Sequence, residues 1–114
     1  MAEKPDYEPI DTTDTWVMES LRHVPRVRHA RFDRSSRRIV IELTNGCEFT
    51  FASRMGQGLR DATDDELAAV KVTEGGYGIE WEALGVDLEL EGLLLGRFGN
   101  AAWMEMLGRS GEIA

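Results

Sequence analysis

Between Val27 and Phe51 the apolar positions of this chain recur at every second residue. Ala30 and Phe32 alternate with His29 and Arg31, Ile39, Ile41 and Leu43 with Val40, Glu42 and Thr44, and Phe49 and Phe51 with Glu48 and Thr50. Period-two alternation of β-branched and aromatic residues marks half-buried antiparallel strands. The turn between the second and third strands contains Asn45-Gly46, and hydrophobic matching sets its length. A two-residue loop would place Glu48 opposite Leu43, on the apolar face. A three-residue loop pairs Leu43 with Cys47, Ile41 with Phe49 and Ile39 with Phe51, which puts every apolar residue on one side. The expected turn is therefore type I, with Gly46 left-handed in a bulge. The other face then holds Val40, Glu42, Glu48 and Thr50, with Glu42 facing Glu48. Like charges at that spacing repel, so this face should be wet or meet a cation.

The pattern continues on both sides of this hairpin. Thr12 or Thr13 can cap a short helix that carries Trp16, Val17 and Leu21 on one side and ends before Pro25. Met55 and Leu59 suit a helical turn closed by Gly58. Thr63-Asp64-Asp65-Glu66 has the form of a capping box opening a helix over 64–69. Val70 and Val72 begin a strand, 74–78 turns, Ile79 and Trp81 form the next strand, and Val86, Leu88 and Leu90 another. Leu93, Leu94, Leu95 and Phe98 read as a short apolar helix. Asn100 can cap a last one bearing Trp103, Met106 and Leu107, stopped at Gly108. The fold class expected is α+β: a small antiparallel sheet of five or six strands built on two hairpins, with short helices on one face and a C-terminal helix. Its core would hold Ile39, Ile41, Leu43, Phe49, Phe51, Ile79, Trp81, Leu88 and Leu93. Residues 1–24 are expected to form a flexible N-terminus with its short helix, and 25–114 a single domain.

Composition narrows the function classes. At 114 residues the chain suits one domain. No apolar run reaches the roughly 18 residues of a membrane span, and the acidic start does not read as a secretion signal. The single cysteine, Cys47, rules out an internal disulfide and fits a reducing cytoplasm. Net charge is −8, unevenly placed: residues 22–38 contain seven arginines and one acid, while residues 61–114 contain twelve acids and three bases. The plainer account of the arginines is pairing with acidic neighbours inside the fold. With the chain so acidic overall, direct nucleic-acid binding through Arg22–Arg38 is disfavoured.

His23 and His29 are separated by arginines, and Cys47 has no Cys or His at ligand spacing, so no metal site is expected. Ser35, Ser36 and Ser53 lack a nucleophile-elbow context. Glu74-Gly75-Gly76-Tyr77-Gly78 lacks the lysine and following helix of a phosphate loop. No catalytic residue and no cofactor is expected, and the chain reads as a non-enzyme.

The ordered motifs resemble the bacterial family called domain of unknown function 2442. They are Val27, Ala30, Phe32 and Asp33; the strand Arg37 to Leu43; Asn45-Gly46; Gln57 to Leu59; Thr63 to Leu67; Gly76 to Trp81; Val86 to Leu88; and Gly92 to Leu94. The tail over 98–109 also resembles members that end in an Ala-Trp-Met helix. The likeness covers about residues 27–109. It implies a small α+β fold and carries no catalytic residues. Members are similar to small proteins encoded beside toxin-like partners, and some carry a helix-turn-helix domain that has no counterpart in this sequence. Many have a proline after the third strand, where this chain has Ala52-Ser53-Arg54.

Two functional expectations follow. In the first, the chain is a non-catalytic cytoplasmic interaction module, antitoxin-like or regulatory, whose anchors Trp16, Leu21, Trp103 and Met106 meet another protein or a second copy of the chain. In the second, Glu80, Glu82, Asp87, Glu89 and Glu91 form an acidic face that imitates phosphates. The protein would then inhibit a nucleic-acid-handling complex, as phage anti-CRISPR proteins do.

Overall fold

The computed structural model describes residues 24–111. The expected helix with Trp16 and Leu21 lies outside the described residues. Three strands, β1 (Val27–Asp33), β2 (Arg38–Leu43) and β3 (Glu48–Ala52), form an antiparallel sheet in chain order. Across β2 and β3, Ile39 faces Phe51, Ile41 faces Phe49 and Glu42 faces Glu48. The Leu43 N–H donates to the Cys47 carbonyl at 2.8 Å, the Gly46 N–H donates to Leu43, and Gly46 has φ +87°. This is the three-residue turn that hydrophobic matching requires.

A short helix, α1 (Asp64–Ala68), follows a single 3-10 turn over Ser53–Met55. Its capping box is complete: the Thr63 hydroxyl accepts from the Glu66 N–H, and the Glu66 carboxylate accepts from the Thr63 N–H. Strands β4 (Lys71–Val72), β5 (Gly78–Trp81) and β6 (Val86–Glu89) then make a second antiparallel sheet. The six strands thus divide into two three-stranded sheets, where the alternation alone suggested one. β1 packs against β4 and β5, so the two sheets share one core. Trp81 closes it from below α1, its indole N–H donating to the Leu67 carbonyl at 3.0 Å.

Helix α2 (Leu90–Leu94) and helix α3 (Ala101–Arg109) are the last elements of the described residues. Leu90 opens α2 instead of extending β6, and Leu90 and Leu93 are buried together. The helix stops in a full Schellman arrangement: the Arg97 N–H donates to Gly92 and the Gly96 N–H to Leu93, with Gly96 at φ +83°. Asn100 caps α3 by accepting from the Trp103 N–H. Gly108 lies inside α3, which ends one residue later, and the left-handed glycine beyond the end is Gly111.

The buried core contains eight of the nine expected residues, and Phe49 is half-buried beside Phe51. Leu59, Leu67, Leu90 and Leu107 join it, drawn from helices and loops. Val40 departs from the expected wet face. It is 7% exposed, because β2 is the central strand and Val40 is flanked by Arg31 and Thr50. On that same face Glu42 does meet a potential cation: His29, itself exposed, lies 3.8 Å away.

Candidate functional site

Part of the arginine-rich hairpin is used internally. The β1–β2 turn carries Arg34 and Arg37, whose guanidinium groups reach the carboxylates at the start of α1. Arg34 bonds Asp65 at 2.9 Å, and Arg37 pairs with Asp64. The Asp65 bond holds the Arg34 proton more tightly than usual. Within the turn, Ser36 and Ser35 donate hydroxyl bonds to Asp33 and lower its pKa. Arg28 donates to the Thr44 carbonyl. The Arg34 and Arg37 contacts fasten the hairpin to the helix and give these two arginines carboxylate partners within the chain.

Trp103 and Met106 are also turned towards the chain itself. Both are half-buried against the core, and the Trp103 indole N–H donates to the Met55 carbonyl at 2.8 Å. The Arg60 guanidinium lies 5.2 Å from the centre of the Trp103 ring.

The exposed apolar surface is elsewhere. Among the described residues the large hydrophobic side chains most open to solvent are Val24, Tyr77, Leu94 and Leu95, at 55%, 60%, 44% and 63% exposure. All four line one groove of about 720 Å³, bounded by Val24–Arg26, Gly76-Tyr77, Glu89–Glu91 and Leu94-Leu95. Local structure explains the convergence. Leu94 lies at i+4 from the buried Leu90 yet sits in the last turn of a five-residue helix and stays open to solvent, and the Schellman stop leaves Leu95 just beyond it. The Leu90 N–H donates to the Tyr77 carbonyl at 2.9 Å, fixing the α2 start beside the β4–β5 turn. That turn needs two successive left-handed glycines, Gly75 and Gly76. A Cβ at Gly75 would stand 2.7 Å from the Tyr77 ring, and one at Gly76 would stand 2.8 Å from the Val27 carbonyl oxygen. The Arg26 guanidinium lies over the Tyr77 ring, 4.7 Å from its centre. Tyr77 is therefore exposed and yet held in place.

The acidic residues assemble only in part. Glu80 faces Asp87 across β5 and β6, and Glu89 follows Asp87 on the same side of β6. Lys71, opposite Glu80, interrupts this surface and bonds Glu82 at 3.1 Å. Arg97 lines a second cleft, of about 560 Å³, together with Asp87 and Glu89. Glu89 also reaches the apolar groove, where Glu91 joins it. Among the described residues no group of three or more His, Cys, Asp or Glu side chains could hold a metal, and no helix is long and apolar enough to cross a membrane.

A family model described as "Protein of unknown function (DUF2442)" matches residues 27–99. The chain belongs to the DUF2442 family. Two solved structures share the fold. A protein of unknown function from Rhodospirillum rubrum is 52% identical, with a TM-score of 0.69, over 72% of this chain and 99% of that one. An uncharacterized protein from Chromobacterium violaceum is 33% identical, with a TM-score of 0.68, over 78% of this chain and 83% of that one. No curated protein matches the chain. The family match ends at residue 99, so it covers the groove walls from Gly76 to Leu95 and leaves out Trp103 and Met106.

Proposed function

We propose that this DUF2442 protein is a non-catalytic protein-interaction module that captures a segment of another protein in the apolar groove between Tyr77 and Leu94-Leu95. The observation that carries this reading is the gathering of the most exposed large hydrophobics into one place. Scattered exposed leucines need no explanation, but a contiguous apolar groove rimmed by charge fits a docking surface. A held aromatic ring suits an anchor, because little side-chain freedom is left to lose on binding. An antitoxin-like role, in which the module holds its partner inactive, is one form of this proposal.

The acidic-mimic reading has weaker support. Glu80, Asp87 and Glu89 do share a face, but Lys71 and Arg97 stand among them. Salt separates the two readings. A groove complex should change little in affinity between roughly 50 and 200 mM salt, whereas phosphate-like recognition should weaken steeply. The test is affinity capture from extracts of the native host. Wild type should retain a partner that Leu94→Gln/Leu95→Gln loses and that Glu80→Gln/Asp87→Asn keeps. Retention by the leucine variant together with loss by the acidic one would overturn the groove reading in favour of the acidic face.

A further inference from the structure

Resting on the groove as the docking surface, we infer that its occupant is a cationic amphipathic segment: aliphatic side chains on one side, with lysine or arginine flanking them. Two carboxylates line the groove, Glu89 at the end of β6 and Glu91 in the first turn of α2. Both are exposed. The basic residue in the lining, Arg26, is laid over the Tyr77 ring. The rim therefore offers two carboxylates on the α2 side and a guanidinium already engaged with an aromatic face on the other. Beyond Glu89, Asp87 and Glu80 lie on the same face of the second sheet, with Lys71 and Arg97 among them, so the acids nearest the groove are Glu89 and Glu91. The whole chain carries −8, so a second copy would meet like charge on approach. An apolar floor with an anionic wall is matched by a helix or strand whose apolar stripe is bordered by cations, the arrangement of helix-in-groove recognition. Rim charges of this kind select the partner and speed encounter, while the apolar anchors hold it.

The probe is a pair of amphipathic peptides of equal length with the same leucine stripe, one with lysine and one with glutamate at the flanking positions. They are titrated into the isotope-labelled full chain and followed by NMR. The leucine–lysine peptide should shift the resonances of Tyr77, Leu94 and Leu95, and should bind at least about tenfold more tightly than the glutamate peptide. Glu89→Gln/Glu91→Gln should weaken it by about three- to tenfold. Glu80→Gln/Asp87→Asn, which removes as much charge away from the groove, should weaken it clearly less. Equal binding of both peptides, or equal weakening by the two neutralised pairs, would overturn the cationic occupant while leaving the apolar groove in place. Unchanged affinity in Leu94→Gln/Leu95→Gln, or no binding of either peptide, would overturn the groove itself.

Discussion

Ile41 is the residue on which the three-stranded sheet turns. It lies in the central strand, is fully buried, and faces Ala30 on one side and Phe49 on the other. Ile41→Ala should cost about 2–5 kcal/mol, because the removed methyl groups leave a cavity that a strand held on both sides cannot close. Urea denaturation would check this, and a cost near zero would mean that the face is not packed as described. Asp33 makes a second prediction at this scale. Its pKa is lowered, first by the Ser36 hydroxyl and then by that of Ser35. The folded protein therefore binds this proton more weakly than the unfolded chain. The contribution is complete above the ordinary value of 3.8 and is lost as pH falls through the lower folded-state value. Asp33→Asn should thus flatten the fall in urea midpoint below about pH 4, with little change in slope at neutral pH. Alternation made these strand residues legible, since every buried position of β2 except Val40 follows it. Val40 was misread because a period-two pattern says nothing about what its neighbours place over the second face.

At the scale of elements, caps and glycines set the boundaries. Thr63→Ala should cost about 1 kcal/mol in stability, because it removes the hydroxyl that accepts from Glu66 and frees the reciprocal partner. Gly78 is under a tighter constraint. A Cβ there would stand 2.5 Å from the Leu88 carbonyl oxygen on the paired strand. Gly78→Ala should therefore force β5 and β6 apart and destabilise the chain by about 1–3 kcal/mol in thermal or chemical unfolding, as overpacking commonly does. The capping box and the Asn100 cap could be read directly, because each is a local signal. The start of α2 could not. Leu90 continues the alternation of Val86 and Leu88, and its N–H still donates to Tyr77 in register with the β5–β6 pairing, so nothing in the pattern marks where the strand gives way to the helix. The leucine run was visible as an apolar helix. Which leucines would be left outside was not, because Leu94 stands at i+4 from the buried Leu90 and is exposed all the same.

For the whole molecule, charge and apolar surface part company. Arg34 and Arg37 of the first hairpin are tied to α1, Glu80, Asp87 and Glu89 share a face of the second sheet, and the exposed apolar residues gather where the start of β1, the β4–β5 turn and α2 meet. The groove is assembled from segments more than fifty residues apart, which is why no single stretch of sequence announced it. By contrast, Trp103 stood out as an anchor because tryptophan on a terminal helix is conspicuous, but its indole is satisfied by Met55 within the same chain. Leu94→Gln/Leu95→Gln should change stability by no more than about 0.5 kcal/mol, since both side chains are already open to solvent. Thermal unfolding would check that, and would make loss of partner binding by this variant a statement about the surface rather than the fold. The most direct test of the groove as the docking surface is amide hydrogen exchange of the chain, free and in complex with its captured partner. Slower exchange at residues 76–77 and 90–96 on binding is the predicted result. Unchanged exchange there, with protection confined to 80–87 or to 101–109, would contradict it.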